Sequence, residues 1–190
     1  MKLKDAAKRE AIVEKTIDIV FQKGFSGVKM AELARLVGVS PSTLYVYYKS
    51  KEDLIVSICS ELINLVSEKS SNEIMADLPY KLKLKTLWLY WVSFSINNAK
   101  EMSFLMQVKQ SPYYDKVPDA VKANKYKLGF ELIDLGKQEG LIKKLDNEVI
   151  AAIMGAIMSE TVNLITSKTI NFNEEDLDMM FSTFWDAINK

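Results

Sequence analysis

The stretch Lys29–Leu54, KMAELARLVGVSPSTLYVYYKSKEDL, decides the fold. Met30, Leu33, Ala34 and Val37 recur at spacings of three and four, which predicts a short helix over about 29–36 that Gly38 breaks. Ser40 suits an N-cap and Pro41 the first helical position, so a second short helix opens there and runs to about Tyr47. In that helix Leu44 and Tyr48 lie four apart and face inward. Ser42, Thr43, Tyr45, Val46 and Tyr47 are left outward to varying degrees. Gly38 permits a positive φ in the turn, Val39 plugs the angle between the helices, and Ala34 allows their close approach. Two short helices on such a turn have the geometry of a helix-turn-helix. Ser50 then caps a long helix with Asp53 at its third position, a capping box with Asp in place of Glu or Gln.

On the N-terminal side, Ile12, Val13, Thr16, Ile17, Val20 and Phe21 mark one amphipathic helix over about 5–23, stopped by Gly24. On the C-terminal side, Leu54, Ile55, Ile58, Leu62, Leu65 and Val66 are expected to face inward. The Ser70-Ser71-Asn72 and Asp77-Leu78-Pro79 stretches are expected to form a connection. Further helices are predicted over about 80–98, 101–109, 119–139, 147–167 and 174–189, with 113–118 irregular. The expected fold is all-α with about nine helices. A helix-turn-helix domain over 1–50 precedes a helical domain over 51–190 for ligand binding and dimerisation.

The net charge is zero over 190 residues, but its distribution is uneven. Residues 1–51 hold ten Lys/Arg against five Asp/Glu, and the remainder fifteen against twenty, a basic head on an acidic body. One end is therefore suited to a polyanion. In a helix-turn-helix the second helix enters the major groove, where hydroxyls bond bases or phosphates and apolar surfaces meet thymine methyls. Lys49 and Lys51 flank its end and are placed to neutralise phosphates. The chain has one cysteine, Cys59, and no histidine, which removes an intrachain disulfide, cysteine- or histidine-built metal sites, and Ser-His-Asp or Cys-His catalysis. Neither a cofactor nor a metal is expected. No apolar run follows the basic start, and no window is expected to span a bilayer, so a cytoplasmic protein without membrane contact is expected.

Gly38-Val39-Ser40, Thr43-Leu44-Tyr45-x-Tyr47-Tyr48 and Ser50-Lys51-Glu52-x-Leu54, at this spacing, resemble the N-terminal signature of the TetR (tetracycline-repressor) family. The likeness covers about Ile12 to Leu54, and the layout of helices agrees in size. It implies that Thr43, Tyr45 and Tyr47 face DNA, that Tyr47 and Lys51 meet phosphates, and that Leu44 and Tyr48 are structural. The DNA-binding set expected from residues and resemblance together is Lys29, Ser40, Pro41, Ser42, Thr43, Tyr45, Val46, Tyr47, Lys49 and Lys51. One departure stands out. The family opens its first short helix with Ser or Thr, whereas Lys29 stands here; lysine cannot cap, although its ammonium can still reach a phosphate.

Beyond Leu54 the resemblance implies an architecture and no particular ligand: the last two helices pair with their twofold mates, and the middle helices enclose an effector. The sequence agrees with that plan. Ala151, Ala152, Gly155, Ala156 and Ser159 give one helix a small-residue face. Leu177, Met180, Phe181, Phe184, Trp185 and Ile188 give the last helix more apolar surface than one core contact needs. A homodimer through about 147–167 and 174–189 is expected on a double-stranded DNA operator. The candidate ligand-contacting residues are Trp88, Trp91, Phe94, Ser95, Phe104, Met106, Tyr126, Phe130 and Met158. Their flat rings and adaptable thioethers suit a small apolar or aromatic effector. Asn97, Asn98, Asn163 and Glu160 are polar candidates to orient it. The expected function is a ligand-released repressor. A helical ligand-binding or interaction module that no longer reads DNA is the alternative, and an all-α enzyme lacks any convergent catalytic motif.

Overall fold

A computed structural model describes residues 2–74 and 77–190, without the side chains of residues 2–4, 68–74, 125 and 126. Among the described residues the architecture is all-α, with nine α-helices and two 3-10 turns. The helices are α1 (Lys2–Lys23), α2 (Met30–Leu36), α3 (Pro41–Tyr47), α4 (Lys51–Ile74), α5 (Tyr80–Asn97), α6 (Ala99–Lys109), α7 (Asp119–Gln138), α8 (Asn147–Thr166) and α9 (Glu174–Ile188). The 3-10 turns are Phe25–Gly27 and Tyr114–Lys116.

The predicted boundaries hold to within a few residues at most helices, because capping and breaking residues set them. Gly24 and Gly140, both at positive φ, end α1 and α7. Asn173 caps α9, its side chain accepting the Asp176 amide at 2.8 Å. The exception is α4. Ser70, Ser71 and Asn72 lie within this helix rather than in a connection, since an established long helix absorbs a few poor helix formers.

The chain forms two compact units. The first comprises residues up to Asn64 together with Ala99–Lys122, and the second comprises Leu65–Asn98 with Ala123–Lys190. This division differs from the one expected at 50/51, because the first part of α4 packs into the first unit. Leu54, Ile55, Ile58, Leu62 and Ile63 join Ile12, Ile17, Val20, Leu33, Leu44, Tyr48, Phe104 and Val108 in one core. Thr16 is fully buried there and keeps its hydroxyl satisfied on the Ile12 carbonyl at 2.7 Å. Phe21 and Leu65, expected to face inward, are exposed.

The second unit has its own core of Tyr80, Leu84, Leu87, Trp88 and Val92 on α5 with Met154 on α8 and Leu177, Phe181, Phe184 and Ile188 on α9. After α7, Ile142 forms an isolated antiparallel bridge with Asn189. On length and composition α8 is apolar enough to cross a membrane, which corrects the expectation that no window of the chain would be. Of its residues Ile150, Met154 and Thr161 are buried, while Val149, Ala152, Ala156 and Ser159 lie on the surface of the single chain.

Candidate nucleic-acid interface

The turn between α2 and α3 is closed by its own backbone. Gly38 has φ +70°, and its amide donates to the Arg35 carbonyl at 3.2 Å. The Val39 amide donates to the Ala34 carbonyl at 2.9 Å, which completes a Schellman C-cap. A Cβ at Gly38 would meet nothing within 4 Å, so glycine is needed for its dihedral angle and not for space. Two residues later the Ser40 hydroxyl accepts the Thr43 amide at 3.1 Å and lies 2.8 Å from the Ser42 and Thr43 hydroxyls. With Pro41 at the first turn, the start of α3 is capped as the sequence predicts.

Packing sorts the side chains of α3. Leu44 and Tyr48 are buried among α1, α2 and α4 residues, while Tyr45 is 49% and Val46 83% exposed. Ser40, Pro41, Ser42, Lys49 and Lys29 are also exposed, and Thr43 and Tyr47 are half-buried. The outward surface of α3 thus presents hydroxyls, one bare isopropyl group and a phenol, a set suited to base edges and thymine methyls. Lys29 does occupy the N-cap position of α2, in extended conformation and without a side-chain cap bond. Its ammonium is therefore available to a phosphate, and the helix goes uncapped.

Two groups expected at phosphates are engaged within the chain. Lys51 Nζ donates to the Phe25 carbonyl at 2.5 Å, bracing the 3-10 turn after α1. Tyr47 Oη donates to Asp5 Oδ1 at 3.2 Å. Desolvation, and after it Asp5, raises the Tyr47 phenol above its ordinary pKa. At the start of α4 the Asp53 amide donates to Ser50 Oγ at 3.0 Å, and the Asp53 carboxylate accepts the Lys49 amide at 2.7 Å. This is the predicted capping box, with its return bond moved one residue outward.

Sequence reasoning missed what α1 does here. Asp5 and Arg9, one turn apart, address the consecutive tyrosines that end the reading helix: Asp5 holds Tyr47, and Arg9 faces Tyr48 while pairing with Glu61 on α4. The Tyr48 hydroxyl is buried without a well-formed hydrogen bond. Burial pushes its phenol pKa up, and Arg9 partly offsets that. Only the i, i+4 spacing of Asp5 and Arg9 was visible in the sequence, and nothing local tied either to a tyrosine 42 or 39 residues away.

The expected effector residues are dispersed. Phe104 belongs to the core of the first unit at 0% exposure, edge-on to Phe25, which is the place of a packing residue. Met106, two residues on, is half exposed. In the second unit Trp88 is fully buried against Phe181, and its Nε1 has no hydrogen-bond partner. Trp91 and Phe94 are half-buried and edge-on to each other; Ser95 donates back to the Trp91 carbonyl at 2.7 Å. Phe130 and Met158 are half-buried alongside this core. The Tyr126 side chain lies outside the described residues. The polar candidates serve local structure instead: Asn98 caps α5 through the Phe94 carbonyl, exposed Asn97 meets Ser93, and exposed Asn163 meets exposed Glu160.

Comparison with known proteins bears on both parts of the chain. Residues 12–58 match the model of the N-terminal region of bacterial regulatory proteins of the tetR family, and residues 79–189 match that of a tetracyclin repressor-like C-terminal domain. An uncharacterized HTH-type transcriptional regulator of Haemophilus influenzae is 21% identical over 184 residues, covering 95% of each chain. The regulator YerO of Bacillus subtilis is 35% identical over 80 residues, a match spanning 41% of this chain and only 28% of that protein. The crystal structure of a TetR family transcription regulator from Marinobacter aquaeolei, 22% identical, superposes over the whole of both chains with a TM-score of 0.89. With both of its regions matched, this chain belongs to the TetR family of helix-turn-helix transcriptional regulators.

Proposed function

We propose that this regulator is a homodimeric repressor that occupies a near-palindromic operator and leaves it when a small apolar or aromatic effector binds the C-terminal helices. The observation that carries the proposal is the outward row of α3. Tyr45 and Val46 expose apolar surface beside the Ser40, Ser42 and Thr43 hydroxyls, on a helix whose inward side is fully packed. The basic excess of residues 1–51 supports it. The dimer reading is supported by Val149, Ala152, Ala156 and Ser159 on one exposed face of α8, where small side chains permit close helix approach, with exposed Met179 on α9. The effector reading is supported by Trp88, whose buried indole N–H would find an acceptor on a bound molecule. Such a protein acts where the chromosome is, in the cytoplasm.

The alternative, a helical module that no longer reads DNA, has one observation in its favour: Tyr47 and Lys51 already have partners within the chain. Selection of duplexes from a random pool on the full chain separates the two. The repressor reading expects an enriched site with half-sites about 34–36 Å apart, and an affinity that falls steeply with salt. Absence of enrichment, or a flat salt response, would overturn it and leave the module. Sedimentation expects twice the 21.6 kDa chain mass, reduced to the single-chain mass by Ala152→Glu on α8. An effector would raise the melting temperature and release the selected duplex.

A further inference from the structure

We propose that Asp5 is a built-in competitor of DNA: its carboxylate holds the hydroxyl that Tyr47 presents at the end of the reading helix, so that operator affinity is set below what α3 alone would give. The inference rests on the DNA-reading role of α3 argued above and adds to it a residue outside the helix-turn-helix. Its basis is geometric. Tyr47 ends α3 and Asp5 lies in the first turns of α1; Tyr47 Oη donates to Asp5 Oδ1 at 3.2 Å, and Asp5 is exposed.

A tyrosine hydroxyl has one proton to donate. The carboxylate oxygen and a DNA phosphate oxygen are both anionic acceptors, so Tyr47 serves one of them at a time. Docking on a duplex must first break the Asp5 bond. It also brings a polyanion towards a carboxylate, one of five acidic residues among the ten Lys/Arg of residues 1–51. The arrangement is held from behind. Ile12, two turns along α1, is fully buried in the core that also holds Leu44 and Tyr48, so the segment of α1 that carries Asp5 stays registered against the end of α3, with the Arg9–Glu61 pair beside it. Asp5 therefore stands opposite Tyr47 through a braced helix and not as a loose tail.

The consequence is a competition that depends on Tyr47 and goes beyond general repulsion by a negative charge, and a double-mutant cycle distinguishes the two. The probe is the duplex selected from a random pool on the unmodified full chain, with affinity read by fluorescence anisotropy at fixed salt. Asp5→Ala should tighten binding about 3- to 10-fold, the size expected for releasing one hydrogen bond to a charged group at an exposed site. Tyr47→Phe should weaken binding, and in that background Asp5→Ala should tighten it by less than about 2-fold, because no hydroxyl remains to be released. An equal gain from Asp5→Ala in both backgrounds would overturn the proposal in favour of plain charge repulsion, and no gain in the Tyr47 background would overturn it outright. Far-ultraviolet circular dichroism and the melting temperature of Asp5→Ala should match the parent, because the change is at the surface. Failure of the unmodified chain to select any duplex would instead remove the DNA-reading role itself.

Discussion

Arg9 on α1 and Glu61 on α4, 52 residues apart, form an ion pair whose guanidinium also faces the buried hydroxyl of Tyr48. Three elements of the DNA-binding unit thus meet at one cation. Both charged side chains are about half exposed, so solvent screens the pair and its direct worth is small. Arg9→Ala should cost about 1 kcal/mol in a urea titration, more than Glu61→Gln, because it also leaves the Tyr48 hydroxyl without a favourable neighbour. Equal costs would show that Tyr48 contributes nothing.

Lys29 stands at the N-cap of α2 with φ −118° and ψ 116°, a backbone that a capping residue adopts. Lys29→Ser should therefore raise stability by about 0.5–1 kcal/mol, and Ser40→Ala at the start of α3 should lower it by about 1 kcal/mol. The same Lys29→Ser change should reduce the salt dependence of duplex binding by about one counterion if the ammonium meets a phosphate. The two readouts move in opposite senses, so a single variant reports both roles of the position.

Tyr80 and Gly136 are packed so closely that a Cβ on the glycine would fall 2.2 Å from Tyr80 Oη. Burial, and then the charge of Glu139, pushes the Tyr80 phenol up to about 12. Folding therefore favours its neutral form. The associated stability is fully present below pH 10, the unfolded value, and is lost as the pH rises towards 12. Tyr80→Phe should flatten the fall in stability between pH 10 and 12, measured against the parent by urea titration. At pH 7 it should be close to neutral, since the hydroxyl it removes has no partner. Gly136→Ala should be destabilising by about 1–3 kcal/mol, and Tyr80→Phe should relieve only part of that, because the ring itself is also in the way.

Trp88→Phe removes an indole N–H that is buried and unpartnered, from a ring set edge-on to Phe181. The substitution leaves a smaller ring, so a cost of about 1–2 kcal/mol is expected from lost packing alone. If an effector accepts from this N–H, the variant should also lose roughly 10-fold in effector affinity, read by calorimetry, while duplex binding without effector stays unchanged. Equal affinity for parent and variant would assign Trp88 to the core.

The helix-turn-helix was legible because each of its joints is local. Gly38, Ser40 and Pro41 fix the turn within four residues, and Leu44 and Tyr48 fix the inward face by spacing alone. The same local logic placed most helix ends. It failed at Ser70–Asn72, where composition resembled a connection but the helix continued. The candidate effector residues are less legible, because an aromatic at helical spacing reads the same whether it fills a core or lines a cavity. Phe104 is the example: grouped with Trp91 and Phe94 by type, it packs against Phe25. Burial also overrode pattern at Phe21, whose place in the apolar repeat of α1 did not keep it from solvent. The Asp5–Tyr47 bond could not be anticipated, since it depends on how α1 lies against α3.

The turn of Gly38 and Val39 is held by main-chain amides on the Ala34 and Arg35 carbonyls, and buried Leu44 and Tyr48, with half-buried Tyr47, anchor α3 inward. Positions 42, 45 and 46 therefore carry almost none of the burden of folding. On the proposed reading role of α3, substitutions there are expected to change which base pairs are preferred while the scaffold keeps its shape, so that a new operator would be reachable by single viable steps.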